Sequence, residues 1–213
     1  MPRRLAELAT AASLASAALA IPAASAVVPA VLLLAAAPGP ASARSAASGW
    51  AEMQGVQVVS GGTIDIDVSR ELAFEVLTDY DRMTEFLPGM VASEVVSRRG
   101  NQVVVEQTAD EGVFLFRQRV QVRLAIEELR PERLTLRALA GSFTELDGSY
   151  VLARVHDLTR IEYRARFIPA FEVPPVVGLY AIRHSLERHL GALGDEMRRR
   201  AAARAAPQPA AAQ

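Results

Sequence analysis

The 213-residue sequence contains no cysteine and no lysine. Without cysteine there is no disulfide framework, no thiolate nucleophile, no iron–sulfur cluster, no cysteine zinc site and no lipid-modified cysteine anchor. Packing and non-covalent polar contacts must hold the fold. All 23 basic residues are arginine, and against 24 acidic residues they leave a formal net charge of -1. That near-cancellation excludes nucleic-acid binding driven by a strongly basic surface. The absence of lysine reads as the nucleotide composition of the source rather than as a binding function. Aromatic residues are scarce at 6%, and the only histidines are His156, His184 and His189. His156 falls in a predicted turn, whereas His184 and His189 stand five apart on a predicted helix and miss the common face that a four-residue spacing gives. No metal site is expected. No G-x-S-x-G motif occurs, and the glycine pairs lack the strand-to-helix context of a phosphate or dinucleotide loop. The sequence therefore offers no catalytic residue and implies no cofactor.

Apolar residues make up 51% of the chain, and much of that excess is alanine at the two ends. Arg3 and Arg4 are followed by an uncharged run from Leu8 to Ala43 that includes Val31-Leu32-Leu33-Leu34. Pro38 and Pro40 break the run, and Ala41-Ser42-Ala43 supplies the small residues a signal peptidase accepts. Residues 1–43 are read as a signal peptide, which predicts an exported, periplasmic or secreted protein. The alternative is a membrane anchor through residues 8–37, because about 20 apolar residues span a bilayer. Residues 201–213 are Ala, Pro and Gln around a single Arg204, a composition with no apolar face to bury, and are expected to be a disordered tail. Residues 44–200 remain as one domain.

Within that domain, Val56, Val58, Ile64, Ile66 and Val68 alternate around Ser60-Gly61-Gly62, which predicts a first strand with a turn or bulge at the glycines. Ser69 is placed to cap a short helix carrying Leu72, Val76 and Leu77, and a second short helix carries Tyr80, Met83, Phe86 and Leu87 up to Pro88-Gly89. Strands over Val91–Val96 and Gln102–Thr108 follow, with a turn expected at Asp110-Glu111-Gly112. The clearest alternation puts Phe114, Phe116, Gln118, Val120, Val122, Leu124 and Ile126 on one face and Arg117, Arg119, Gln121 and Arg123 on the other. Leu134, Leu136 and Ala138, then Phe143–Val155, then Ile161, Tyr163, Ala165 and Phe167 continue the meander, giving about seven strands. The period then switches. Leu179, Ile182, Leu186, Leu190, Leu193 and Met197 recur at steps of three and four after Pro174-Pro175, which predicts a long amphipathic helix. Burying such a stripe is worth about 10–15 kcal/mol gross, and the inner face of the sheet is the only apolar surface large enough to receive it.

This order predicts an α+β helix-grip fold, a curved seven-stranded antiparallel sheet wrapped around a long C-terminal helix, with two short helices after strand one. The stretch Leu77-Thr78-Asp79-Tyr80-Asp81-Arg82-Met83-Thr84-Glu85-Phe86-Leu87-Pro88-Gly89, followed by Glu94-Val95-Val96, resembles the opening of the polyketide cyclase/dehydrase and START-like (SRPBCC) superfamily, in particular its coenzyme Q-binding START branch. Gly141-Ser142-Phe143-Thr144-Glu145-Leu146-Asp147-Gly148-Ser149-Tyr150 resembles the segment before that family's penultimate strand. The resemblance spans about residues 64–200 and implies an elongated apolar cavity between sheet and helix that takes lipids, isoprenoid quinones, sterols or polyketides. It carries over no catalytic residue.

Strand parity then nominates the lining of such a cavity: Phe114, Phe116, Gln118, Val120, Tyr150, Arg154 and Tyr163 from the sheet, with Leu186 from the helix. Polar groups on an apolar face need a hydrogen-bonding partner, and a ligand oxygen can serve, as can a backbone group or a solvated rim. The expected partner is a hydrophobic or amphipathic small molecule, held by a carrier or chaperone, with transient membrane contact. An aromatase/cyclase in which Tyr150, Tyr163, Gln118 and Arg154 orient a polyketide is the alternative, and a protein-interaction module like the ribosome-associated relatives is a third. The arginines of the opposite face, Arg117, Arg119, Arg123, Arg137, Arg160, Arg164 and Arg166, are expected to be solvated and paired with acidic neighbours such as Glu106 and Glu162.

Overall fold

The computed structural model describes residues 47–113 and 116–206, so the signal-peptide or anchor segment 1–43 lies outside the described residues. The order is β1 (Ser48–Gln54), β2 (Gln57–Ile66), α1 (Arg70–Leu77), a 3₁₀ turn (Tyr80–Arg82), α2 (Met83–Phe86), β3 (Met90–Arg99), β4 (Gln102–Val113), β5 (Phe116–Leu129), β6 (Arg133–Gly141), β7 (Phe143–Val155), β8 (Leu158–Pro169) and α3 (Val177–Ala205). All eight strands form one antiparallel sheet in the order β1-β2-β8-β7-β6-β5-β4-β3. The helix-grip architecture is as expected, with eight strands rather than seven. Among the described residues no helix is long and apolar enough to cross a membrane.

The extra strand is β1, which precedes the predicted first strand, and the turn or bulge expected within that predicted strand at Ser60-Gly61-Gly62 is regular strand. Those residues lie inside β2 and pair with β8 as Ser60↔Ala165, Gly61↔Arg164 and Gly62↔Tyr163. The hairpin instead turns at Gly55, whose φ of 64° suits the left-handed conformation of a two-residue loop. The glycines serve close approach. A Cβ on Gly61 would sit 2.7 Å from the Trp50 ring, and one on Gly62 would sit 2.6 Å from the Ser48 carbonyl and 2.7 Å from Leu190. The sheet can therefore press against α3 at this point.

A second correction concerns Asp110-Glu111-Gly112, which is strand rather than turn: the β4/β5 ladder runs on through Asp110↔Arg119 and Gly112↔Arg117 to Val113↔Phe116. Asp110 is a poor strand former, but its carboxylate takes two hydrogen bonds from the Arg119 guanidinium at 2.7 and 2.8 Å across the ladder. The arginine face behaves alike. Glu106 with Arg123, Asp65 with Arg160 and Asp147 with Arg166 are also ion pairs between residues directly opposite in register. Exposed pairs of this kind add little to stability, because water and salt screen them. Their larger effect is to cancel positive charge locally, so the face does not present an unbroken cationic field.

Helix α1 begins where Ser69 Oγ accepts from the Leu72 amide at 3.2 Å. It wedges Leu72, Phe74, Val76 and Leu77 into one end of the sheet–α3 sandwich, where Val103, Val105, Leu152, Ile161, Leu190, Leu193 and Met197 complete a solid core. The tail boundary expected at Arg200 moves outward, because α3 continues to Ala205. Alanine is the best helix former, and Arg204 anchors the added turn by a 2.6 Å ion pair to Glu75 on α1. Residues 207–213 of the expected tail lie outside the described residues.

One turn earlier, the shielded Glu196 carboxylate accepts from Arg199 and Arg200, and Arg200 also reaches Asp79 at 2.6 Å. The hydrogen bond from Arg199 holds the Glu196 carboxyl below its ordinary value of 4.5, although burial opposes this. A depressed folded-state pKa stabilises the fold above the unfolded value, and that contribution disappears as pH falls through the folded value. Glu196→Gln is therefore expected to lower the melting temperature at neutral pH, with the gap to the parent closing as pH falls below 4.5. Thermal unfolding of both proteins across the acid range checks this, and a gap independent of pH would contradict it.

Candidate functional site

The N-terminal half of α3 does not fill the space beneath the sheet. Ala181 and Ser185, which face that space, are small, whereas Gly178 is packed against Val173. A cavity of ≈ 320 Å³ results, at the lower end of the roughly 300–1,000 Å³ of small-molecule sites. β5 contributes Gln118, Val120, Val122, Leu124 and Ile126, the alternate residues of one face, and β6 adds Leu134 and Leu136. Phe143, Leu146 and Tyr150 come from β7, and Tyr163 and Phe167 from β8. Helix α3 closes the space with Ala181, Ile182, Ser185, Leu186, His189 and Leu193, and Leu87, Phe171 and Val173 come from connecting segments.

Of the residues nominated by parity, Gln118, Val120, Tyr150, Tyr163 and Leu186 line this cavity together. Phe114 lies outside the described residues, and Phe116 opens β5 with a side chain that also lies outside them. Arg154 needs correction. It shares the parity of Tyr150 and Leu152, but it lies beyond the core near the strand end, is exposed, and donates from Nε to the His156 carbonyl at 3.1 Å. Parity fixes the face of a strand but not how far along it the cavity extends. Sequence reasoning misses Ser60, which it places in a turn or bulge, and leaves Tyr80, Gln107 and His189 out of the lining. The apolar stripe Tyr80, Met83, Leu87 on the short helices was the available signal for Tyr80.

The polar groups divide into those already engaged and those open to the cavity. Tyr80 donates to Glu128 at 3.2 Å, and this buried carboxylate also takes a hydrogen bond from Arg98 at 2.9 Å. Burial, then the charge of Glu128, pushes the Tyr80 phenol well above its usual range. Gln107 donates to Ser93 at 3.1 Å and to Met83 Sδ at 3.2 Å, and Gln118 donates to the Arg119 carbonyl at 3.1 Å. His189 Nε2 lies 3.0 Å from the Pro88 carbonyl. Since a carbonyl only accepts, Nε2 carries the proton, and the bond ties α3 to the α2–β3 connection.

Tyr150 and Tyr163 sit opposite one another in the β7/β8 register, with ring centroids 4.7 Å apart. Their hydroxyls find no hydrogen-bond partner among the described residues, and both rings keep accessible area because they border the cavity. Burial pushes the Tyr163 phenol up to about 12 and the Tyr150 phenol higher still, the latter helped by the neighbouring phenols of Tyr163 and Tyr80. Both remain protonated donors. Among the described residues the lining contains no Asp, Glu, Lys or Arg, and its one histidine is His189. Among the described residues no group of His, Cys, Asp and Glu side chains could hold a metal ion.

Residues 66–193 match the family model described as polyketide cyclase / dehydrase and lipid transport. No curated protein matches the chain by sequence. Among solved structures, the STAR-related lipid transfer protein from Xanthomonas axonopodis is similar at 14% identity and a TM-score of 0.58, covering 72% of this chain and 94% of that one. The ZhuI aromatase/cyclase from Streptomyces sp. R1128 is similar at 17% identity and a TM-score of 0.57, covering 71% and 99%. A START superfamily protein from Mycobacterium smegmatis is similar at 14% identity and a TM-score of 0.57, covering 66% and 97%. At these identities the likeness is one of fold.

Proposed function

Since the chain belongs to the polyketide cyclase / dehydrase and lipid transport family, we propose that it holds a hydrophobic or amphipathic small molecule in the sheet–α3 cavity as a carrier or chaperone rather than as a catalyst. The supporting observation is the lining itself: apolar side chains from the sheet and from α1, α2 and α3 around an unfilled space, with few polar groups and, among the described residues, no carboxylate or guanidinium. An isoprenoid quinone, a lipid or a polyketide-like molecule each falls within that class. A cyclase would need a base to remove a proton from its substrate. The phenols facing the cavity are held in the protonated form and do not supply that base. The proposal extends to place and partner: the export pattern of residues 1–43 puts the carrier outside the cytoplasm, where cargo exchange would involve transient membrane contact.

Native mass spectrometry of protein purified from its own host, followed by solvent extraction, tests the carrier reading. A hydrophobic adduct released on denaturation is expected. A protein that is always empty and also refuses added hydrophobic probes would overturn it.

A further inference from the structure

Resting on the cavity being a ligand site, we infer that its occupant is an uncharged molecule bearing an exposed oxygen acceptor, such as a ketone, which receives hydrogen bonds from Tyr150 and Tyr163. Three observations converge. First, the two hydroxyls have no hydrogen-bond partner among the described residues, whereas Tyr80 is committed to Glu128, Gln107 to Ser93 and Met83, Gln118 to the Arg119 carbonyl and His189 to Pro88. A donor buried in an apolar site without a partner is unfavourable, so an acceptor brought by the ligand gains both bonds at once. Second, the pair is in register on adjacent strands with rings 4.7 Å apart, so both phenols border one region of the cavity. Ser60 adds a third hydroxyl nearby: it pairs with Ala165, two residues along β8 from Tyr163 and on the same face, and it too lacks a partner among the described residues. Third, no arginine among the described residues lines the cavity to compensate a ligand anion. A carboxylate there would lose its hydration and meet no cation, a cost that neutral donors do not offset. The phenols stay protonated at any pH the fold experiences, so they donate and do not act as anions.

The near-isosteric trio of 2-acetylnaphthalene, 2-isopropylnaphthalene and 2-naphthoate separates the terms, with titration calorimetry on the full chain and on Tyr150→Phe, Tyr163→Phe and the double variant. The ketone is expected to bind about ten-fold more tightly than the hydrocarbon, a preference that shrinks several-fold in each single variant and disappears in the double one. Hydrocarbon binding should hold constant throughout, and the naphthoate should bind weakest at neutral pH. Melting temperatures confirm that each variant is folded. Equal binding of ketone and hydrocarbon to the parent, or a preference that survives the double substitution, overturns the acceptor inference and leaves the carrier reading standing. Binding of the naphthoate as tight as that of the ketone overturns its charge selectivity. Failure of all three probes on a folded parent overturns the inference together with the carrier reading.

Discussion

Replacing Phe74 by alanine is expected to destabilise the protein by about 3–5 kcal/mol, a large share of the roughly 5–15 kcal/mol that holds an ordinary domain together. Phe74 is the largest fully buried side chain and comes from α1, the helix that plugs the closed end of the sandwich. The Arg130 guanidinium carbon lies 5.0 Å from its ring centroid, and the Thr78 hydroxyl donates to the Phe74 carbonyl at 2.9 Å while accepting from Arg130 at 3.2 Å. Truncation thus opens a cavity inside a network that cannot collapse without moving α1. A fall in melting temperature of roughly 10 °C should accompany it. Phe74→Leu, which keeps most of the volume, should cost no more than about 1.5 kcal/mol. Chemical denaturation of both variants is the measurement, and equal costs would show that volume at this position is not what matters.

The second large effect lies at the open end. Val120→Trp should weaken binding of a hydrophobic ligand by about 100-fold or more, equivalent to about 2.7 kcal/mol, while leaving the melting temperature unchanged or raised. Val120 points from β5 into the cavity, so the indole enters space that no side chain occupies and buries apolar area at about 25 cal/mol per Å². An indole in a packed core would behave oppositely, costing about 1–3 kcal/mol through strain. Ala153→Trp on the exposed face of β7 is the control and should change neither quantity. Undiminished binding to the folded Val120→Trp variant would place the ligand elsewhere.

These two substitutions probe the same sandwich, yet nothing in the local sequence distinguishes its two ends. Leu186 and Leu190 are adjacent members of one helical stripe, but Leu186 lines the cavity and Leu190 is 1% exposed in the core. Likewise Tyr150 and Leu152 share one face of β7, but Tyr150 lines the cavity and Leu152 is buried in the core. Alternation correctly assigned Gln118, Tyr150 and Tyr163 to the inner face because side-chain direction is a local property of strand backbone. The same logic failed for Arg154, since where the sheet outruns its covering layer is not local. Turn chemistry misled at Ser60-Gly61-Gly62 and Asp110-Glu111-Gly112 for a related reason. Glycine there answers a close approach by Trp50 and α3, and Asp110 is offset by an arginine nine residues away. Strand β1 escaped notice because it is an edge strand of alternately exposed and half-exposed residues with little hydrophobic contrast.

The amino-acid sequence by itself determined the fold class, the order of elements from β2 onward, the face most strands turn inward and the near-neutral balance of charge. It also carried, in the uncharged run from Leu8 to Ala43, the pattern behind the expectation of export. Only the tertiary structure decided that α1 fills one end of the sandwich while small residues of α3 leave the other end open. It alone showed that Tyr150 and Tyr163 face that opening with no hydrogen-bond partner among the described residues. The reason is that hydrophobic pattern records which way a side chain points, whereas a cavity depends on how closely two layers approach and on whether their side-chain volumes fill the gap between them.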